Sequence, residues 1–459
     1  MRPENTIAAI STPRGEGAIA IVRISGSGAI AVADGVFQGK MKLEQAQSHT
    51  LLHGTIGTAR GDQGLDEVLV SLMRAPATYT GEDMVEINCH GGVLITRKVL
   101  ELVLDHGARL ATPGEFTRRA FLNGRLDLAQ AEAVADVISS RAESSLKMAQ
   151  RLLSGVLSKE IGEIRQGLVE ALSLVEADLD FSDQEFDLNV LQEAGPLLEE
   201  AESRIEQLLD GASLGQHLRD GFNVVIVGRP NVGKSSLFNS LLRCSRAIVT
   251  HVPGTTRDVI SEPIGLDGLP LRLVDTAGLH ASEGLVEKEG IRRTRKEMSQ
   301  ADLLLFVMDG SELILEEDRQ ILEETGDQAG LVVINKIDLP QKSSEQELEA
   351  LLGGRRQIRA SAKEGVGIDE VTKAISEALL NGNSLNGASP LVSRVRHSEA
   401  LQRAGRKTKE ALQQLNKGSG GEIIAIELRE GLGALDEITG QTFRQEILDR
   451  IFSQFCVGK

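Results

Sequence analysis

The 459-residue chain contains no tryptophan and one tyrosine, Tyr79, and aromatic residues make up only 3% of it. Sheets that recognise RNA stack bases on several aromatic rings, so this composition argues against a platform of that type. Cysteine is also scarce, and the three residues are Cys89, Cys244 and Cys456. An odd, sparse set favours a reducing cytoplasm over a disulfide framework.

Long apolar runs are missing as well. No segment approaches the roughly 18 apolar residues that span a bilayer, and the N-terminal residues, which include Arg2 and Glu4, lack the apolar core of a signal peptide. We therefore expect a cytoplasmic protein that does not contact a membrane. The 67 acidic and 50 basic side chains give a net charge of −17, which argues against a protein that coats nucleic acid. The basic runs at 292–296 and 394–409 could form local basic patches or solvated helix faces.

The length favours about three domains. Residues 1–118 alternate β-rich runs with glycine turns, which predicts a compact N-terminal α+β domain. Residues 119–218 change to helical periodicity, and apolar residues from Leu153 to Leu179 recur at steps of three and four. This spacing predicts one apolar stripe along a long helix.

A second helical region follows a linker at residues 381–390, which is rich in glycine, asparagine and serine. Apolar residues then recur with helical spacing up to residue 459. We predict a discontinuous all-α domain formed by 119–218 and 381–459, whose apolar stripes pack together because neither can stay exposed. Residues 219–380 would be inserted between its two halves.

The inserted segment repeats the order strand, loop, helix, which is typical of an α/β domain. The predicted strands are 224–227, 271–274, 303–307, 332–334 and 357–360. Asp267-Gly268 lies between two apolar runs and predicts a β-hairpin. We therefore expect one antiparallel edge on an otherwise parallel sheet.

A P-loop motif lies at residues 228–235, Gly-Arg-Pro-Asn-Val-Gly-Lys-Ser, between a predicted strand and a predicted helix. Glycines in such a loop let backbone N–H groups converge on phosphate oxygens. Lys234 would neutralise the β- and γ-phosphates, and the Ser235 hydroxyl would bind Mg²⁺. The motif predicts a nucleotide site.

Three further motifs follow in the order expected of a GTPase: Asp275-Thr276-Ala277-Gly278, Asn335-Lys336-Ile337-Asp338 and Ser361-Ala362-Lys363. Asp275 would hold Mg²⁺ through water. Asp338 would accept two hydrogen bonds from the guanine edge, which adenine cannot donate. Together the four motifs predict GTP binding and hydrolysis.

The segment Gly254-Thr255-Thr256-Arg257-Asp258 lies where a switch loop presents a hydroxyl to Mg²⁺, and we assign Thr256 that role. Leu279 follows the second motif, where Ras-type enzymes carry the glutamine that orients the attacking water. Leucine cannot do this, so a carboxylate in the following segment is the natural candidate. From position alone, Glu283, Glu287 and Glu289 remain open.

The whole chain resembles the tRNA modification GTPase family MnmE, also called TrmE. The resemblance is carried by Val22–Gly26, Thr80–Asp83, His90–Gly92, Pro113–Phe116, Phe121–Ala133, the Gly-Thr-Thr-Arg-Asp segment and the C-terminal Phe455–Lys459. The terminal Cys-Val-Gly-Lys is the most specific of these. Other GTPases with a similar core lack it.

The resemblance implies a multidomain fold: an N-terminal α+β domain that binds folate and dimerises, a discontinuous all-α helical domain, and an inserted Ras-like α/β P-loop GTPase domain. It implies a homodimer that works with the flavoprotein MnmG on tRNA. The pair installs an aminomethyl-type group on C5 of the wobble uridine, with the carbon taken from a 5-formyl or 5,10-methylene tetrahydrofolate. GTP hydrolysis accompanies the reaction and requires Mg²⁺ and K⁺.

The resemblance also assigns site residues. The K⁺ ligands would be Asn231, Thr250, Val252 and Thr255; the Mg²⁺ ligands Ser235 and Thr256; the water-polarising residue Glu287; and the folate contacts Arg23, Glu86, Arg125 and Lys459. The nucleotide-binding residues would be Asn231, Val232, Gly233, Lys234, Ser235, Ser236, Thr250, Thr255, Thr256, Asp275, Thr276, Ala277, Gly278, Asn335, Lys336, Asp338, Ser361, Ala362 and Lys363.

Cys456 matches the cysteine that the family requires for modification. Without the resemblance, Cys456 beside Phe455 is equally compatible with a buried apolar thiol, and Arg23 and Glu86 with a surface ion pair. The family often carries lysine where this chain has Arg125, so charge is kept but guanidinium geometry differs.

Two other functions compete with this interpretation: a ribosome-assembly or RNA-chaperone GTPase, and a scaffold whose nucleotide site is only a structural switch. The absence of a recognisable RNA-binding module and the C-terminal tetrapeptide argue against the first. Intact Lys234, Ser235, Asp275 and Glu287 argue against the second.

Overall fold

The computed structural model describes residues 6–13, 15–57, 64–180, 190–245, 261–275, 295–325, 328–380 and 391–459. Within these ranges no helix combines the length and the apolar character needed to cross a membrane. The chain divides into two compact units. One comprises Met1–Ala135, Leu153–Leu198 and Arg406–Lys459, and the other comprises Asp136–Leu152 and Glu199–Gly405.

The N-terminal part of the first unit is built on a seven-stranded sheet in the order β3-β4-β5-β6-β2-β1-β7. Its strands are β1 Ile7–Ile10, β2 Gly17–Ser25, β3 Phe37–Gly39, β4 Thr50–Ile56, β5 Asp66–Met73, β6 Met84–Gly91 and β7 Arg109–Leu110. Neighbouring strands are antiparallel except β1 and β7, which are parallel. Helices α1 Ala29–Val36 and α2 Val93–Asp105 accompany the sheet.

Alternation along the strands separates the two faces of this sheet. On β5, Val68, Val70 and Leu72 are buried, whereas Leu69 between them is 42% exposed. The buried residues join Val99 and Val103 of α2 in one apolar core. The α+β character predicted for this region is therefore confirmed. Burial alternates every second residue because successive side chains of a strand point to opposite faces of the sheet.

Six helices follow: α3 Glu115–Leu122, α4 Leu128–Ser139, α5 Glu143–Leu153, α6 Val156–Asp180, α7 Val190–Asp210 and α8 Ala212–Asp220. The prediction that Leu153 and Leu179 share one long helix is wrong. Gly155 has φ 84°, a left-handed conformation that ends α5 and precedes α6. The stripe along α6 itself is as predicted, since Leu157, Ile161 and Leu168 are buried.

A six-stranded sheet lies in the second unit, in the order β13-β12-β11-β8-β10-β9. Its strands are β8 Phe222–Val227, β9 Ser261–Leu266, β10 Leu269–Asp275, β11 Leu303–Asp309, β12 Gly330–Asn335 and β13 Gln357–Arg359. All neighbours are parallel except β9 and β10. Its helices include α9 Lys234–Ser245, α10 Glu316–Thr325, α11 Glu345–Leu352 and α12 Ile368–Leu380.

This sheet confirms the predicted antiparallel edge and hairpin. Asp267 and Gly268 have φ 48° and 76° and join β9 to β10. Since β8, β10, β11 and β12 are parallel, their carboxyl ends lie at one edge, where α/β sheets bind their ligands. The motifs predicted to bind nucleotide follow these ends.

The chain closes with α13 Val395–Asn416, α14 Gly421–Thr439 and α15 Gln445–Phe452. Helix α14 packs along α6, as predicted for the two helical segments. Arg165 on α6 donates to Asp436 on α14 at 2.7 Å, and Arg429 pairs with Glu176 at the same distance. In a separate cluster, Leu448, Phe452 and Phe455 pack with residues of α3 and α4.

Candidate functional site

The P-loop leaves β8 through backbone conformations that its sequence permits. Gly228 and Gly233 have φ 149° and 98°, and Asn231 has φ 63°. A Cβ on Gly228 would lie 2.4 Å from the Val307 carbonyl oxygen, and one on Gly233 would lie 2.2 Å from Nδ2 of Asn335. Both glycines are therefore required by close packing as well as by backbone conformation.

Lys234 is the first residue of α9 and is only 5% exposed. Its ammonium donates to the carbonyl oxygens of Gly228 at 2.8 Å and Arg229 at 2.7 Å. Burial lowers the pKa of Lys234, and the nearby charge of Asp275 opposes that effect. A buried ammonium at the start of a helix is suited to phosphate oxygens, which would restore the charge stabilisation that burial removes.

Ser235 and Asp275 meet where β10 ends. The Ser235 hydroxyl donates to Oδ2 of Asp275 at 2.7 Å, and Asp275 is 2% exposed. A hydroxyl and a carboxylate are the hard oxygen donors that Mg²⁺ prefers. These two residues therefore fit the predicted Mg²⁺ site, whereas the third predicted participant, Thr256, lies outside the described residues.

Asp338 and Ser361 form the predicted base-recognition corner. The Ser361 hydroxyl donates to Oδ1 of Asp338 at 2.6 Å, and this hydrogen bond lowers the pKa of the exposed Asp338 carboxyl. An ionised carboxylate can accept the two N–H groups of a guanine edge. Lys363, from the same motif, is exposed and lies 3.6 Å from Glu364.

The base motif also holds the P-loop. Asn335 donates to the Val232 carbonyl at 2.9 Å and accepts from the Ala362 N–H at 2.9 Å. Lys336 donates to the Asn231 carbonyl at 2.9 Å. The Asn335–Asp338 motif therefore joins the P-loop to the Ser361–Lys363 motif. The remaining motif begins with Asp275, which contacts the P-loop through Ser235. Ser236 is exposed on α9.

Several predicted residues lie outside the described part of the chain: Thr250, Val252, Thr255, Thr256, Thr276, Ala277, Gly278 and the three glutamates Glu283, Glu287 and Glu289. Of the predicted K⁺ ligands only Asn231 is described, and it is exposed. The assignments of the K⁺ site and of the water-polarising residue therefore stay predictions.

The predicted folate contacts Arg23, Glu86 and Lys459 gather in the first unit. Arg23 on β2 pairs with Glu86 on β6, with Nε 2.8 Å from Oε1, and its Nη1 donates to the Gly458 carbonyl at 3.3 Å. Burial and then the charge of Arg23 lower the pKa of Lys459, while Glu86 opposes them. Two cations and one carboxylate thus share a half-buried site.

Two aromatic rings, Tyr79 and Phe116, border this site and were not predicted. The Arg23 guanidinium lies 5.7 Å from the Tyr79 ring centroid and 5.8 Å from that of Phe116. The Tyr79 hydroxyl is 2.8 Å from Oγ1 of Thr117, and burial raises the pKa of Tyr79. A signal was present, because Tyr79 is the only tyrosine and precedes the Thr80–Asp83 motif.

Arg125, the fourth predicted folate contact, is exposed and donates from Nε to the Thr78 carbonyl at 3.3 Å. This hydrogen bond places Arg125 beside the segment that carries Tyr79. Among the described contacts it does not join Arg23 directly.

The C-terminal tail is held by backbone contacts. Gly458 has φ 98°, and a Cβ there would lie 2.3 Å from the Ile10 carbonyl oxygen. The Ser11 hydroxyl donates to the Gly458 carbonyl at 3.2 Å, and the Gly114 N–H donates to that of Cys456 at 3.4 Å. The Cys456 side chain is exposed, so its interpretation as a buried thiol is wrong.

The basic run at 394–409 includes side chains held by carboxylates. Arg394 donates to Oδ1 of Asp136 at 2.7 Å. Lys407 donates to Glu427 at 2.6 Å and also pairs with Glu410 and Glu430. These two cations serve ion pairs within the protein.

Two family models match the chain: "GTP-binding protein TrmE N-terminus" over residues 6–125 and "MnmE helical domain" over residues 128–456. The tRNA modification GTPase MnmE of Carboxydothermus hydrogenoformans is 46% identical over 459 residues, covering 99% of this chain and 100% of that protein. The protein of the same name from Geobacter metallireducens is also 46% identical, covering 99% of each chain. This chain belongs to the tRNA modification GTPase MnmE family.

Proposed function

We propose that this GTPase is activated by potassium and acts with a flavoprotein partner, MnmG, to install an aminomethyl-type group on C5 of the wobble uridine of tRNAs. The one-carbon unit would come from a tetrahydrofolate. We further propose a homodimer with domains at 1–118, 119–218, 219–380 and 381–459, the third being a Ras-like insertion in a helical domain. Membership of the family supports the proposal.

One observation carries the GTPase part: the P-loop, the Asn335–Asp338 motif, the Ser361–Lys363 motif and Asp275, all separated in sequence, lie at one edge of a parallel sheet. Lys234 would bind the β- and γ-phosphates, Ser235 would hold Mg²⁺ directly and Asp275 through water, and Asp338 would select guanine. Mg²⁺, when bound, would neutralise phosphate charge. Hydrogen bonds join Ser235 to Asp275 and Ser361 to Asp338. These contacts support a site that is organised before nucleotide binds.

The folate part is supported by the group formed by Arg23, Glu86, Lys459, Tyr79 and Phe116. Folates carry carboxylates and a flat ring with N–H donors. Cations suit the carboxylates, a carboxylate suits the N–H donors, and aromatic faces suit the ring. The residues therefore fit the group. The folate, when bound, would supply the one-carbon unit, and Arg125 would add a positive charge near Tyr79.

Cys456 would be required for tRNA modification but not for GTP hydrolysis. Its thiol is exposed on a tail whose neighbour Gly458 packs on β1, and Lys459 of the same tail belongs to the Arg23 group. The nucleotide motifs all lie in the other unit. Loss of this thiol should therefore leave GTP hydrolysis intact.

The test replaces Cys456 by serine and measures two outputs. Cells carrying only Cys456→Ser should lose the modified wobble nucleoside, as measured by mass spectrometry of tRNA digests, while the purified variant should hydrolyse GTP at the wild-type rate. Cys244→Ser is the matched control, because Cys244 is also exposed but lies on α9. It should retain the modified nucleoside.

Two other results would contradict parts of this proposal. Retention of the modified nucleoside in Cys456→Ser cells would remove Cys456 from the reaction. Unchanged wobble nucleosides in cells that lack the protein altogether would contradict the modification activity and favour a ribosome-assembly or RNA-chaperone switch.

A further inference from the structure

A buried ion pair joins the P-loop to helix α10. Arg229, the second residue of the P-loop motif, is 7% exposed, and Asp318 on α10 is 1% exposed. Nε of Arg229 donates to Oδ1 of Asp318 at 2.8 Å. Neither residue belongs to the predicted site, and the motif pattern places no requirement on position 229.

Both partners of this pair are fixed by further contacts. Oδ2 of Asp318 accepts the Leu315 N–H at 3.0 Å, so both of its oxygens are used. Nη2 of Arg229 donates to Glu312 at 3.2 Å. A buried carboxylate with this many donors holds a guanidinium in one orientation, and breaking such a pair leaves an uncompensated buried charge.

The backbone of Arg229 connects the pair to catalysis. Its carbonyl oxygen accepts the Lys234 ammonium at 2.7 Å, the shorter of the two hydrogen bonds that Lys234 makes to the loop. The side chain of Arg229 therefore anchors the same residue whose backbone receives Lys234. Movement of this residue would move the acceptor of the buried ammonium.

The other tethers of the loop come from different elements. Gly228 packs on the Val307 carbonyl of β11. Asn335 and Lys336, from the base motif, hold the carbonyls of Val232 and Asn231. Like the hydrogen bond from Ser235 to Asp275, the pair of Arg229 and Asp318 is a tether that depends neither on the base motif nor on glycine packing.

We propose that Arg229 and Asp318 are positioning residues for GTP hydrolysis: their ion pair fixes the carbonyl that receives Lys234 and keeps the phosphate-binding loop in one conformation before nucleotide arrives. The inference rests on the proposed assignment of the GTP site. A loop that samples other conformations binds more weakly in proportion to the fraction that is competent. Loss of the ion pair should therefore weaken binding of the nucleotide phosphates and leave the preference for guanine unchanged.

The test measures binding of a fluorescent GDP analogue and steady-state hydrolysis by full-length Asp318→Asn. Affinity should fall about tenfold, and the KM for GTP should rise by a similar factor while kcat stays within about twofold, because the loop holds ground and transition states alike. The preference for GDP over xanthosine diphosphate should not change. Glu324→Gln is the matched control, since Glu324 lies on the same helix in an exposed pair with Arg295, and it should bind GDP as the wild type does.

Circular dichroism establishes that the variant is folded at the assay temperature. If Asp318→Asn does not fold, Arg229→Lys carries the test, since it keeps the charge but loses the guanidinium geometry, and the same direction of change is expected. A folded variant whose GDP affinity lies within twofold of wild type overturns the inference, as does an altered base preference. Failure of the wild type to bind GDP would instead refute the proposed GTP site.

Discussion

Replacing Glu115 by glutamine should destabilise the N-terminal α+β region. Glu115 opens α3 and is 8% exposed. Its carboxylate accepts from Arg109 at 2.8 Å, from Arg119 at 3.1 Å and from the Thr112 N–H at 2.9 Å. Arg119 keeps a second partner in Glu82 at 2.9 Å, so the substitution removes the central acceptor without leaving Arg119 unpaired.

The size of the effect follows from the pKa. Burial opposes the charged form, but the hydrogen bonds from Arg109, Thr112 and Arg119 outweigh it and lower the pKa of Glu115 from 4.5 to about 2. At about 1.36 kcal/mol per pKa unit this corresponds to about 3 kcal/mol. Arg109 is 45% exposed, and screening by solvent reduces the expected contribution to about 2 kcal/mol.

The sign of the pH dependence is fixed by the direction of this change. A carboxylate whose pKa is lowered on folding stabilises the folded state above its unfolded-state pKa. The contribution of Glu115 is therefore complete above about pH 5, falls through 4.5 and is lost as the pH approaches 2. The difference in the free energy of unfolding between wild type and Glu115→Gln should therefore be about half as large at pH 3 as at pH 7.

The chain supplies its own local probe. It has no tryptophan and a single tyrosine, and Tyr79 packs against the cluster that contains Phe116, the neighbour of Glu115. Tyrosine fluorescence during urea unfolding therefore reports on this region alone. Glu101→Gln is the control, since Glu101 pairs with exposed Lys98 on α2, and it should change the free energy of unfolding by less than about 0.5 kcal/mol. Equal unfolding free energies for wild type and Glu115→Gln at pH 7, or a difference independent of pH, would refute the reasoning.

Three further predictions concern the binding and hydrolysis of GTP. Asp338→Asn should lower GTP affinity about a hundredfold, because two hydrogen bonds to a carboxylate are lost, and should favour xanthosine triphosphate; unchanged affinity in a nucleotide titration would contradict the base assignment. Glu287→Ala should slow turnover about a hundredfold with GTP affinity retained, since orienting water acts on the transition state; a wild-type rate would move the role to Glu283 or Glu289. Asn231→Ala should remove the stimulation by K⁺ over Na⁺ at fixed ionic strength while nucleotide still binds through Lys234, and equal wild-type rates in both salts would exclude a K⁺ mechanism.

Local rules predicted much of the nucleotide domain. The hairpin at Asp267-Gly268 follows from two residues that tolerate positive φ, and both adopt it. The P-loop was predicted because its glycines are required by the loop itself, as the contacts of Gly228 and Gly233 show. Features encoded within a few residues leave a signature that sequence reasoning can use.

The same reasoning failed at Gly155 for a physical reason. Leu153 and Leu157 are four residues apart, which is the spacing of one helical face. A short break between α5 and α6 leaves that spacing intact, so periodicity alone does not detect it. The left-handed φ of 84° at Gly155 breaks the helix.

Pairings between distant segments were the hardest to predict. Arg229 and Asp318 are 89 positions apart, and each has an ordinary local explanation. Arg229 lies at a P-loop position for which the motif specifies no residue type, and Asp318 lies in an acidic first helical turn, where carboxylates are common. No pattern within either segment indicates the other. Arg23 and Glu86 were matched only through the family resemblance, which supplied the roles but not the aromatic rings beside them.

The C-terminal tail shows what a short motif encodes. Gly458 needs a positive φ and room against the Ile10 carbonyl, and a Cβ would lie within 2.3 Å of that oxygen. The backbone of Gly458 lies on β1, and this contact fixes the positions of Cys456 and Lys459 on either side of it. Cys456 is exposed there, and Lys459 lies near Arg23 and Glu86. The glycine therefore determines where the two functional candidates lie. Sequence could identify the tetrapeptide but not the strand that receives it, because the contact is made by backbone atoms that every residue carries.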